Sequence, residues 1–84
     1  MTYSLKIKAS ALKEIEALPH DDRERVVRAI DALQHQPHQG TLLKGTLTGL
    51  RRMRVGRYRV IYEVQKAALV VLVLRVGHRR DVYR

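Results

Sequence analysis

Leu50-Arg51-Arg52-Met53-Arg54-Val55-Gly56-Arg57-Tyr58-Arg59-Val60-Ile61-Tyr62 is the stretch that decides how this chain folds. Gly56-Arg57 separates two strand patterns, Leu50 to Val55 and Tyr58 to Gln65, and Gly-X is the preferred sequence of a two-residue type II′ hairpin. Such a turn sets the register. Val55 then faces Tyr58, Arg54 faces Arg59, Met53 faces Val60 and Arg52 faces Ile61. Cross-strand partners project from one side, and alternate residues along a strand share a face. One face therefore carries Arg52, Arg54 and Arg59. The other carries Met53, Val55, Tyr58, Val60 and Tyr62, which can pack on helices.

Like charges set opposite one another destabilise a ladder, so three convergent arginines work against folding. A polyanionic ligand would offset that repulsion. The alternative is a solvated outer face whose arginines splay toward scattered carboxylates. The second half of the chain has few to offer: only Glu63 and Asp81, with Glu63 expected on the same face as Arg59.

Downstream, Ala68 to Val76 is apolar on both faces, as expected of a central strand covered on each side. It runs straight into Gly77-His78-Arg79-Arg80-Asp81-Val82-Tyr83-Arg84. Ligand-binding groups often sit on a segment just beyond such a strand. This tail supplies two guanidinium groups from Arg79 and Arg80, the imidazole of His78 and the phenol of Tyr83. Each has a plainer reading, Tyr83 as a ring packing the end of the fold and His78 as an ordinary exposed histidine.

Upstream, Tyr3-Ser4-Leu5-Lys6-Ile7-Lys8 alternates with the period of a half-buried strand. Ser10 is positioned to cap a helix running to about Leu18, and Pro19 stops it. Asp21-Asp22-Arg23-Glu24 resembles a capping box opening a second helix, which buries Val26, Val27, Ile30 and Leu33 and ends at Gln36-Pro37. His38 to Thr48 reads as a polar, glycine-containing connection. The expected architecture is a single α+β domain over residues 1–84 in the order β-α-α-β-β-β. A small antiparallel sheet, the N-terminal strand plus a three-stranded meander, carries two helices on one face.

Composition narrows the function. The chain has 84 residues, 45% of them hydrophobic, enough for one compact core. It has no cysteine, which removes disulfides, thiolate nucleophiles and zinc ribbons. No apolar h-region or bilayer-length run is present, so a cytoplasmic protein without membrane contact is expected. The net charge of +9 is segregated. Met1 to Thr41 holds six Lys/Arg and six Asp/Glu, whereas Leu42 to Arg84 holds eleven Lys/Arg, nine of them arginine, against two acids. Segregated charge suits a phosphate backbone, and arginine suits forked recognition of phosphate.

These motifs resemble the RelE family of bacterial and archaeal toxins, ribosome-dependent mRNA endonucleases paired with antitoxins. The likeness covers nearly the whole chain. It rests on Ala11-Leu12-Lys13-Glu14, on Leu43-Lys44-Gly45, on Arg52 through Tyr62, and on Val76-Gly77-His78-Arg79-Arg80-Asp81-Val82-Tyr83. The resemblance implies that Arg52 and Arg54 take the family's two basic positions on the first meander strand. It assigns the arginine of the next strand to Arg59, the one after the final strand to Arg79, and the terminal tyrosine to Tyr83. His78 falls where a basic residue is common. Arg52 and Arg54 replace lysines found in some relatives, and an arginine cannot shed its proton to act as a base. The loop between Arg54 and Arg59 is also shorter than in some relatives, and no C-terminal helix follows Tyr83.

The implied reaction is metal-free and cofactor-free cleavage of mRNA in the ribosomal A site, by attack of a ribose 2′-hydroxyl on the adjacent phosphate. Arg59, Arg79, Tyr83 and His78 form the expected catalytic set, and Arg52, Arg54, Lys44 and Arg80 the expected RNA-binding set. The general base stays open between His78, Tyr83 and positioning on the ribosome alone. Implied partners are the ribosome with its mRNA and rRNA, and an acidic RelB-like antitoxin through which the complex could bind operator DNA. Two other functions share the same features: a ParE-like toxin acting on DNA gyrase, and a non-catalytic RNA-binding module.

Overall fold

The computed structural model describes residues 2–78. The elements run β1 (Ser4–Ile7), α1 (Ala9–Glu16), α2 (His20–Ala32), β2 (Thr41–Leu42), β3 (Arg51–Val55), β4 (Tyr58–Gln65) and β5 (Val70–His78). A 3-10 turn at Gly45–Leu47 lies between β2 and β3. They build the expected α+β layers, two helices on one five-stranded sheet of order β1-β5-β4-β3-β2.

The hairpin has the register that its turn demands, with Val55 opposite Tyr58, Arg54 opposite Arg59, Met53 opposite Val60 and Arg52 opposite Ile61. Gly56 has φ +58 while Arg57 is not in the positive-φ region, as a type II′ turn requires and a type I′ turn does not. The helix-side residues Met53, Val55, Val60 and Tyr62 join Ala11, Ile15, Val26, Ile30, Leu33, Val71, Val73 and Val76 in one core.

Several details depart from the sequence reading. The sheet is mixed, because β1 runs parallel to β5, with Ser4 beside Val70 and Ile7 beside Val73. Two helices and the rest of the sheet separate these strands in sequence, a connection long enough for a parallel pairing. No side chain caps either helix: α1 begins at Ala9 with Lys8 as its N-cap, and α2 at His20 with Pro19 as its N-cap. Ser10 and the Asp21–Glu24 box thus lie inside the helices. Asp21 and Asp22 still occupy the first turn of α2, where the helix dipole favours acids. On the faces, Val27 and Leu12 point outward, 40% and 46% exposed. The final strand begins at Val70, since Lys66 to Leu69 form a turn with Leu69 at φ +53, and it continues through His78. The helices cover one face of that strand, not both.

A bulge keeps β5 in phase with the core. Ile61 pairs with Arg75 but Tyr62 pairs with Val73, so Leu74 is extra. Val73 and Val76 are an odd number of residues apart, yet both are buried on the helix side. Only an inserted residue allows that, because side chains alternate faces along a regular strand. Past Val73, β5 also loses β1, whose chain turns at Lys8 into α1. The carboxylate of Glu14 on α1 takes the place of the missing strand. Its Oε1 accepts the Val76 N–H at 3.0 Å, and its Oε2 lies 3.3 Å from Arg75 Nε.

Candidate nucleic-acid interface

The open face of the hairpin gathers the arginines. Arg54 and Arg59 stand opposite one another, with Arg52 two residues along β3 on the same side. Arg54 is exposed, Arg52 is half-buried and Arg59 is 9% exposed. On β5 the residue opposite Arg59 is Gly77. Glu63 shares this face, as expected, and accepts a 2.7 Å hydrogen bond from Gln65 Nε2. Arg75, level with Ile61, turns its guanidinium to Glu14.

Of the remaining candidates, the two within the described residues, His78 and Lys44, lie away from this patch. His78 is the last residue of β5 and pairs with Tyr58, not with Arg59. Its ring meets Tyr58 edge to face, centroids 6.1 Å apart, and Tyr58 packs on the helix-side core. The imidazole therefore belongs to the face opposite the arginines. Lys44 is exposed beyond the Arg51 end of the hairpin, since Leu42 pairs with Arg51 and Leu43 N–H bonds to Leu50 O. Arg79, Arg80 and Tyr83 lie outside the described residues. Among the described residues no three His, Asp or Glu side chains come together as a metal-holding group, and no helix is long and apolar enough to cross a membrane.

Two tyrosines escape assignment from sequence. Tyr58 donates its hydroxyl to Asp22 Oδ2 at 3.1 Å, pinning the hairpin to the first turn of α2. Burial, and then this bond to a carboxylate, raise its pKa above the usual tyrosine value. Tyr62 is fully buried, and its phenol donates to Pro37 O and accepts from Gly40 N–H, both at 2.8 Å. Burial raises its pKa as well, against the opposing pull of the Gly40 N–H and of Arg51. Arg51 completes the clamp by donating to Gly40 O at 2.7 Å. The one available signal is a tyrosine on a core-facing position, whose hydroxyl must find a partner when buried. Nothing in the sequence names that partner.

The segment so held borders an open depression of about 340 Å³ lined by Gln39, Gly40, Thr41, Arg52, Met53 and Arg54. A rigid strand pair thus presents cations beside a concave, polar edge. Such a surface can hold a phosphate backbone and stabilise charge that develops on phosphorus.

Known proteins share this fold. The family model for the ParE toxin of the type II toxin–antitoxin system parDE matches residues 5–83. Toxin RelG of Mycobacterium tuberculosis (strain ATCC 25618 / H37Rv) is 33% identical over 86 residues, covering 100% of this chain and 99% of its own. A chain in the toxin–antitoxin complex RelBE2 from Mycobacterium tuberculosis superposes with TM-score 0.86 at 30% identity, covering 94% of this chain and 100% of that one. The archaeal RelE–RelB complex from Pyrococcus horikoshii OT3 gives TM-score 0.80 at 32% identity, covering 98% and 100%. With a family model spanning nearly all of the chain and a relative matched along its whole length, this protein belongs to the RelE/ParE toxins of type II toxin–antitoxin systems as a RelE-family member.

Proposed function

We propose that this toxin is a ribosome-dependent endoribonuclease that cuts mRNA in the A site and so stops translation. One observation carries the reading: Arg52, Arg54 and Arg59 converge on the hairpin face that the helices leave open. Like charges set opposite one another across the ladder oppose folding.

In the proposed step the ribose 2′-oxygen attacks the adjacent phosphorus and the bond to the 5′-oxygen breaks. A 2′,3′-cyclic phosphate and a 5′-hydroxyl result, one proton leaving the 2′-hydroxyl and one reaching the 5′-oxygen. No metal is needed in this scheme, because guanidinium groups hold the charge on the non-bridging oxygens. Arg59 takes that role with Arg79, while Arg52 and Arg54 hold the flanking backbone, supported by Lys44 and Arg80. Tyr83 stacks on or orients the base or sugar beside the cut. His78 has the one imidazole in this part of the chain, a side chain able both to accept and to donate a proton, which supports it as base. Its pairing with Tyr58 counts against it, since the ring would have to round the end of β5 to reach Arg59.

The proposed partners are the ribosome with its mRNA and an acidic RelB-like antitoxin, the second supported by the likeness to toxin chains solved in the RelBE2 and RelE–RelB complexes. Leu12 and Val27, outward on α1 and α2, give such a partner apolar contacts on the helical layer, and operator binding would come through the antitoxin. The test is cleavage of a defined mRNA on purified ribosomes, with Arg59→Ala and Arg79→Ala as controls. Cuts in the A site that vanish in both variants support the proposal. The match to the ParE family model favours one rival, a gyrase-directed toxin. Intact mRNA together with a DNA-damage response on induction would establish that rival instead. Salt-sensitive RNA binding with neither effect would indicate a binding module.

A further inference from the structure

The depression beside Arg52 and Arg54 has features that phosphate binding alone does not explain. β2 stops at Thr41, which pairs with Arg52, while β3 continues through Met53, Arg54 and Val55. The Arg52 carbonyl points toward β2, since its oxygen lies only 2.7 Å from where a Cβ on Gly40 would sit. By the two-residue period of a strand, the Arg54 N–H and C=O point the same way, and among the described residues no strand pairs with them. Across the gap stand the exposed side chains of Gln39 and Thr41.

The far wall is rigid. Gly40 is held by the Tyr62 phenol at its N–H and by Arg51 at its carbonyl, and any larger residue there would collide with the Arg52 backbone. The cleft thus places an amide, a hydroxyl and a strand edge next to two guanidinium groups. A phosphate needs only the cations. A nucleobase edge needs donors and acceptors side by side, which a glutamine amide and a backbone edge both provide.

We propose that this cleft is a nucleotide subsite that takes one base of single-stranded RNA and makes Gln39 the residue that reads it. Thr41 assists through its hydroxyl, and Tyr62 acts as a positioning residue by holding the Pro37–Gly40 segment against β3. The flanking phosphates rest on Arg52 and Arg54. The inference builds on the reading of the arginine face as an RNA surface, and adds a source of sequence preference to it.

The test sequences the cut ends from a randomised mRNA on ribosomes, for wild type, Gln39→Ala and Thr41→Val. Both substitutions are on exposed side chains, so the fold persists, and each base profile is normalised to that variant's total cutting. In Gln39→Ala the base preference at one position relative to the cut should weaken about tenfold. An unchanged base profile overturns the subsite while leaving cleavage itself standing. A second readout does not need cleavage: amide NMR shifts on titration with a short oligoribonucleotide. Shifts at Gln39 to Thr41 and at Arg54, with those at 39–41 reduced in Gln39→Ala, support the subsite. Shifts confined to Arg52, Arg54 and Arg59 overturn it, and no binding by wild type overturns it together with the RNA-surface reading.

Discussion

The two faces of the β3–β4 hairpin share a backbone and a register but answer to different constraints. Met53, Val55, Val60 and Tyr62 point to the helices and are buried in the core. Arg52, Arg54 and Arg59 alternate with them and point away from the helices. On the helix face each side chain removes apolar area from water, at roughly 25 cal/mol per Å². On the open face, neighbouring arginines repel one another across the ladder. One hairpin therefore holds both the apolar face on which the protein folds and the cationic face proposed to meet an anion.

If this division is sound, substitutions on the two sides should differ in sign as well as size. The largest loss is expected where the helix layer meets the sheet. Ile30→Ala, at a site 1% exposed, should destabilise the protein by about 2–5 kcal/mol in urea unfolding. A loss under about 1 kcal/mol would mean the helix face is not the source of stability.

Tyr62→Phe comes next. It keeps the ring but leaves the buried Gly40 N–H and Pro37 carbonyl without their partner, which should cost about 2–3 kcal/mol. The same residue sets an alkaline limb. Its folded pKa is raised above the ordinary 10.0, so below that pH its contribution is fully present. As pH rises past that value the unfolded chain ionises first, and stability falls until the folded pKa is reached. Stability measured against pH should fall less steeply above this point in Tyr62→Phe, with Tyr58 supplying the remaining slope.

Glu14→Ala is a smaller perturbation, about 1 kcal/mol, because water can reach a site where the Glu14 and Arg75 side chains are 30% and 40% exposed. Hydrogen exchange should show the Val76 amide losing protection before the rest of β5.

The smallest effect on stability, and the one of opposite sign, belongs to the arginine face. Arg52→Ala with Arg54→Ala should stabilise the fold by less than about 1 kcal/mol. The same pair should lower the slope of log affinity for single-stranded RNA against log salt by about 1.4 if each holds one phosphate. Destabilisation with an unchanged slope would remove the distinction between the faces.

The arginine face is legible in the amino-acid sequence because a two-residue Gly-X turn leaves no freedom of register. Once Gly56-Arg57 is placed, the side of every residue from Arg52 to Tyr62 follows. The helix caps are not legible in the same way. Ser10 and Asp21-Asp22 have the chemistry of caps, but α1 starts directly after β1 and α2 directly after Pro19, so the chain enters each helix ahead of them. The side taken by His78 is hidden for a related reason. The apolar pattern of its strand ends at Val76, yet the strand runs on to the histidine, and the bulge at Leu74 then sets which face the imidazole takes. The Gln39–Thr41 wall lies inside a connection that reads as merely polar, because it is shaped by Tyr62 and Arg51 from strands well downstream.

Local chemistry alone determined the hairpin and its register, the apolar stripe Val26-Ile30-Leu33, the concentration of positive charge in the second half, and the likeness to the RelE family. These depend on turn preference, periodicity and composition, which act between near neighbours in the chain. Tertiary structure alone decided the parallel seat of β1 beside β5, the substitution of Glu14 for a missing strand at Val76, the phenol clamp on Gly40 and the side on which His78 lies. Each of these joins groups that are distant in sequence, so the partner is selected by packing and by the need to satisfy buried polar atoms. No local preference encodes that choice.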